Sequence, residues 1–123
     1  MNQNSNSKKY DIKERTFDFA RRGVKLYYFL LKKGGAGKTL APQLLRSATS
    51  IGANLEEADA GQSKPDFINK CGIALKEARE TLFWLRLFEA ENIIEPKLIS
   101  NLIQECREIT AILTTIIRKS RGQ

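Results

Sequence analysis

"KKGGAGKT", residues 32–39, has two readings, and they lead to different folds. As a phosphate-binding loop it would join a strand to a helix, with backbone N–H groups turned on an anion. As a break between two helices it would be one joint of an all-helical chain. The standard loop pattern, G-x-x-x-x-G-K-[ST], needs a glycine at position 32, and the chain has Lys32 there.

A variant pattern, K-G-G-x-G-K-T, is complete from Lys33 to Thr39 and resembles the deviant loop of the partitioning ATPases. Its surroundings argue for the other reading. No segment alternates with the period of two that a strand requires. No apolar run ends in an aspartate that could position magnesium. The chain is also much shorter than an enzyme of that kind. A helical joint accounts for each residue instead. Gly34 and Gly35 supply a left-handed stop, and Lys32, Lys33 and Lys38 suit the negative end of the helix before them. Thr39 is expected to cap the next helix, with Pro42 in its first turn. A weak anion site at Lys38 and Thr39, on that helix N-terminus, is retained as an expectation.

Outward from the joint, apolar residues recur at spacings of three and four. A first helix is expected from residue 11 or 16 to 33, its core stripe being Phe17, Ala20, Val24, Tyr27, Tyr28 and Leu31. Phe19, Leu26 and Leu30 widen that stripe and suggest a second contact, such as another subunit. A second helix over 40–61 presents Leu44, Ala48, Ile51, Leu55 and Ala58. A third, over 64–91, opens with Ser63 as cap and Pro65 in its first turn, and presents Phe67, Cys71, Ala74, Ala78, Leu82, Leu85 and Phe88. A fourth, over 96–120, presents Ile99, Leu102, Ile103, Cys106, Ile109, Leu113, Ile116 and Ile117. Four amphipathic helices with short connections predict an all-α fold, an antiparallel up-down-up-down four-helix bundle. It forms one domain over 11–120, after a disordered polar and basic arm at 1–10 and before a frayed tail at 121–123.

The 123 residues are 41% hydrophobic and 28% charged, ordinary values for a soluble domain. The balance of 21 Lys and Arg against 14 Asp and Glu is less ordinary, and its net +7 favours polyanionic partners. With no histidine, the usual general base and the commonest metal ligand are missing. Cys71 and Cys106 lie on apolar stripes and read as core thiols. No catalytic residue, metal or cofactor is assigned. The first residues carry no apolar signal core, and no apolar run reaches membrane length, so a cytoplasmic protein without a membrane partner is expected.

The excess charge falls on the arm, the first helix and the tail. An even number of antiparallel helices brings both termini to one end. Lys8, Lys9, Lys13, Arg15, Arg21 and Arg22 are therefore expected to approach Arg118, Lys119 and Arg121 in a single basic rim. Such a rim would bind nucleic acid, RNA in particular, by phosphate contacts and shape, without strong base specificity. Tyr27, Tyr28 and Trp84 are assigned to the core or an interface. Two other functions are weighed: a scaffold docking an acidic protein partner, and a nucleotide-binding enzyme using Lys38 and Thr39.

On the second helix, Gln43, Ser47, Ser50, Asn54 and Glu57 form a polar stripe, with Arg46 beside it. Mostly small and uncharged, these residues suit a subunit interface or a structural hydrogen-bond seam. The stretch "PQLLRSATSIGANLEEA" resembles the signature helix of the four-helix-bundle proteins first noticed in intervening sequences of large-subunit ribosomal RNA genes. The signature's Gln, Arg-x-x-x-Ser-Ile-x-x-Asn, apolar residue and Glu fall on Gln43, Arg46, Ser50, Ile51, Asn54, Leu55 and Glu57. Ala58 stands where glycine is usual. "DFINKCGIALKEARETLFWL" resembles that family's third helix through Phe67, Ala74, Glu77 and Glu80, and "FDFARRGVKLYYFL" fits its first. The resemblance covers residues 16–118. It implies a bacterial, cytoplasmic bundle assembled as a homopentameric ring, with RNA association inferred from where such genes occur. A related group of basic bundles serves reverse transcriptases of diversity-generating retroelements as accessory factors.

Overall fold

A single residue, Gly34, separates the first two helices. The computed structural model describes residues 12–60 and 63–122. In it α1 spans Ile12–Lys33, α2 Gly35–Asp59, α3 Lys64–Ala90 and α4 Pro96–Ser120, and no described residue is in a strand. The arm at 1–10, with Lys8 and Lys9, lies outside the described residues, as do Gly61, Gln62 and Gln123.

Gly34 takes φ 80°, and its N–H still closes the last turn of α1 on the Leu30 carbonyl at 3.2 Å. Its own carbonyl accepts from Lys38 N at 3.2 Å, which starts α2. The second helix thus begins at Gly35, earlier than the expected residue 40. Thr39 does not cap it: one turn inside, its hydroxyl donates to the Gly35 carbonyl at 3.2 Å. Pro42 likewise falls in the helix interior, on an exposed position. The expectation failed because glycine is a poor helix former on its own. Here packing decides. Gly37 is buried, and a Cβ there would stand 3.0 Å from Ile93 Cγ2 and 3.1 Å from Leu30 Cδ2. The glycines let this joint fit beneath the α3–α4 connection.

The core face of α1 is also displaced from the expected stripe. Thr16, Phe19, Gly23 and Leu30 are buried, whereas Phe17 is 64% exposed, Tyr28 60% and Val24 38%. Small residues set this face. A Cβ on Gly23 would lie 2.9 Å from Ala48 Cβ, and one on Gly52 would lie 3.4 Å from Thr16 O. Buried Thr16 satisfies its hydroxyl on the Ile12 carbonyl at 2.9 Å. A count of apolar residues sees neither the glycine nor the threonine.

In α2, Leu44, Ala48, Ile51, Leu55 and Ala58 are all buried, as their spacing predicts. α3 is capped by Ser63, whose Oγ accepts from Asp66 N at 3.3 Å. Its core residues are Cys71, Ala74, Ala78, Thr81, Leu85 and Phe88, with Phe67 and Leu82 packed at the margin. The short turn to α4 folds back on α3, Ile93 N donating to Phe88 O at 2.8 Å. α4 contributes Ile99, Leu102, Ile103, Cys106, Ile109, Leu113 and Ile117. Each helix packs on its neighbours in chain order, and α1 closes on α4 through the sparsest contact of the bundle. Among the described residues, no helix is long and apolar enough to cross a membrane.

Candidate nucleic-acid interface

Seven carboxylates of this chain pair with bases across the seams between helices. Arg46 of α2 reaches Glu77 at 3.1 Å and also pairs with Glu80, both on α3. Next to this pair in the same seam, Thr81 Oγ1 donates to Ser47 Oγ at 2.8 Å, with both side chains buried. Further along, Lys70 Nζ meets Glu57 at 2.6 Å. Two members of the polar stripe, with Arg46 beside them, therefore tie α2 to α3 within one chain. Ser50 and Asn54 turn back on α2 itself, bonding the Arg46 carbonyl at 2.7 Å and the Ser50 carbonyl at 2.8 Å. Gln43 is exposed.

Glu80 also accepts from Trp84 Nε1 at 3.0 Å. The Arg46 bond first, and the indole bond second, hold its carboxyl below the usual carboxylate range. A folded-state pKa depressed in this way stabilises above the unfolded value of about 4.3 and is lost as pH falls through the folded value. Arg46→Gln is therefore expected to melt below the wild type at pH 6, and the gap should close as the pH is taken down through that window. A gap that stays constant with pH in thermal melts would refute the assignment.

Among the described residues, the cations of the expected basic rim do not form one surface. Lys13 is held by Asp59 at 2.7 Å and Glu56 at 3.6 Å. Arg15 forks onto Glu105 at 3.0 and 2.7 Å and reaches Glu108 at 2.7 Å. Both are thus neutralised inside the chain. Arg22 donates to Asn101 Oδ1 at 2.7 Å, and Arg21 stands 3.8 Å from Asp18. Arg118 lies roughly 25 Å beyond Asn101 along α4, at 1.5 Å per residue. Arg21 and Arg22 accordingly do not join the terminal cations. Instead they line, with Lys25, Asp18 and Glu105, a depression of about 360 Å³ between α1 and α4. The reason is helix register: α4 continues past the level of Arg15, carrying its last turn away.

Arg118, Lys119 and Arg121 are exposed and make no ion pair with a described residue. Arg121 stands over a groove of about 580 Å³ with Pro65, Gly72 and Lys76. Among further cations in the same condition, Lys76, Arg79, Arg86 and Arg107 are not picked out by counting charge per segment. The third helix is nearly neutral overall, so its bases look balanced by Glu77 and Glu80. Those carboxylates turn to Arg46 on α2. Charge counted by helical face, rather than by segment, finds them.

The glycine joint leads out of a helix, not out of the strand that a phosphate loop follows. Lys38 N and the Thr39 hydroxyl are both bonded inside the helix, to Gly34 O and Gly35 O. Cys106 is buried, its Sγ donating to Ala78 O at 3.3 Å, and burial pushes its thiol up to about 12. Burial also raises Cys71. Neither provides a thiolate near neutral pH. Among the described residues no group of His, Cys, Asp and Glu stands together in a way that could hold a metal ion.

The family model described as 23S rRNA-intervening sequence protein matches residues 8–115. A crystal structure of a protein of unknown function from the S23 ribosomal protein family, from Bacteroides thetaiotaomicron, is 42% identical, with a TM-score of 0.81 over 87% of this chain and 98% of that one. No curated protein matches.

Proposed function

Because the chain belongs to the 23S rRNA-intervening sequence protein family, we propose that it is a non-enzymatic, oligomeric bundle that binds structured RNA through its uncompensated cations. One observation carries this. Between helices, seven carboxylates, Glu56, Glu57, Asp59, Glu77, Glu80, Glu105 and Glu108, are tied to four bases, Lys13, Arg15, Arg46 and Lys70, while Asp18 and Arg21 pair within α1. The remaining surface is therefore more basic than the net +7 suggests. Lys and Arg facing solvent without partners suit the phosphates of a polyanion.

The bundle is antiparallel, up-down-up-down, in this reading. The order of contacts supports it: Thr16 meets Gly52, Gly23 meets Ala48 and Leu30 meets Gly37, while Arg15 meets Glu105 and Arg22 meets Asn101. Phe17, Val24 and Tyr28 share the outer side of α1 and add nothing to the chain's own core. Covering them with a second copy, in a homopentameric ring, would remove that apolar surface from water. A cytoplasmic location accords with an RNA partner.

The test is binding to a labelled RNA hairpin across a salt series, with a matched DNA duplex beside it. Log affinity is expected to fall linearly with log salt, by about 0.9 per duplex phosphate contact. Arg118→Glu with Lys119→Glu should weaken binding by about tenfold or more and lower the slope, while Lys38→Ala changes neither. No binding at low salt would remove the reading and leave a protein-docking scaffold in front.

A further inference from the structure

We propose that the outer face of α3 is a base-stacking platform, with Phe83 taking one unpaired RNA base and the cations around it holding the flanking phosphates. The proposal rests on the RNA-binding reading and deepens it by naming the kind of RNA.

Lys76, Arg79, Phe83 and Arg86 are spaced three, four and three residues, so they share one side of the helix. All four are exposed, and Phe83 is 54% exposed. A large aromatic on the outermost side of α3 does nothing for the core. Its ring packs edge-to-face on Trp84, with centroids 5.0 Å apart and planes at 73°. Trp84 is anchored in turn by its bond to Glu80, which Arg46 fixes. The ring is thus pre-positioned through a chain of contacts reaching α2, and ordering it on binding costs little.

Lys76, Arg79 and Arg86 are the cations on this side of α3, and Glu80, one turn before Phe83, is held by Arg46 and Trp84. Glu77 and Glu80, the carboxylates that most closely precede Phe83 on α3, are bound to Arg46 on the α2 side. α4 adds its own cations along one stripe. Arg107, Arg118 and Arg121 recur near whole helical turns and are exposed. Cys106 bonds the Ala78 carbonyl, so Arg107 and Arg79, the residues that follow, lie at one level of the bundle. At the other end Arg121 shares a groove with Gly72 and Lys76. The groove is open at Gly72, where a Cβ would meet nothing within 4 Å. None of these six cations makes an ion pair with a described residue.

An aromatic among bases suits a nucleobase with its two flanking phosphates. The base must be unpaired to offer its face, which points to a loop, bulge or single-stranded end rather than a continuous duplex. The aromatics then contribute to recognition, in a place where composition and segment charge assign them no part.

Full-length protein would be titrated with two labelled RNAs, a hairpin with an unpaired loop and a blunt duplex. Binding is read by anisotropy and by the emission of Trp84, the one tryptophan of the chain. The hairpin is expected to bind more tightly and to change the emission. Phe83→Ala should lower hairpin affinity about tenfold, leaving duplex affinity and the salt slope unaltered, and Phe83→Tyr should restore it. Arg79→Glu with Arg107→Glu should weaken both RNAs and reduce the salt slope. Hairpin binding that survives Phe83→Ala, or that leaves Trp84 emission unchanged, would overturn the platform while RNA binding itself stands. A change of solution mass in Phe83→Ala without a change of affinity would assign the ring to a protein contact and also overturn it. Failure of the wild type to bind either RNA at low salt would instead sink the parent reading.

Discussion

Gly23→Leu is expected to destabilise the chain by about 3 kcal/mol, the upper end of the usual overpacking penalty. A single Cβ at this position would already stand 2.9 Å from Ala48 Cβ, a separation that real Cβ atoms essentially never show. Neither partner can swing aside, because both atoms are fixed to helix backbone. α1 and α2 would have to move apart along a seam that also contains Thr16 and Gly52. The natural control is Gly72→Ala, where the new methyl meets nothing within 4 Å. That change should stabilise by roughly 0.5–1 kcal/mol through helix propensity alone. Urea unfolding separates the two, since the midpoint should fall for the first and rise for the second at constant m. A Gly23→Leu midpoint equal to that of the wild type would mean that α1 and α2 do not approach as closely as described.

Phe88→Ala should cost about 4 kcal/mol, through lost transfer energy and the cavity left behind. Phe88 is fully buried. Its carbonyl also receives Ile93 N at 2.8 Å and Ile94 N at 3.4 Å, so the residue anchors the α3–α4 turn that lies over Gly37. The melting temperature is expected to fall on the order of 10 °C or more for a chain of this size. Phe17→Ala removes the same ring from a position 64% exposed. In a single chain it should change stability by no more than about 0.5 kcal/mol. Equal losses in the two variants, followed by calorimetry, would show that the core face of α1 is wrongly placed.

The Phe17 comparison marks where sequence reading succeeded and where it failed. The limits of α4, residues 96–120, were legible because Pro96 opens it and the apolar period runs unbroken to Ile117. α3 was legible within a residue because Ser63 and Pro65 announce its start. These are signals carried by a few adjacent residues. The start of α2 was misread for the same reason: three glycines in four positions are a local signal for a loop, and only Ile93, from the far side of the chain, makes Gly37 a packing residue. The basic surface shows a parallel failure. Arg15 looked available until Glu105 and Glu108 were seen beside it, and Arg79 looked balanced until Glu80 was seen facing Arg46.

By itself the sequence determined four helices, the absence of any strand-like segment, most of the core stripes of α2, α3 and α4, and the family signature around Asn54. All of these follow from periodicity, capping residues and prolines, which act over a turn or two of one helix. The tertiary structure alone decided which side of α1 is buried, which cations have a carboxylate beside them, and what the polar stripe of α2 binds. Each of these depends on which helix lies opposite, and the deciding pairs are Gly23 with Ala48, Ser47 with Thr81, and Arg15 with Glu105. Such pairs stand many turns apart in sequence, so no window along the chain contains both members.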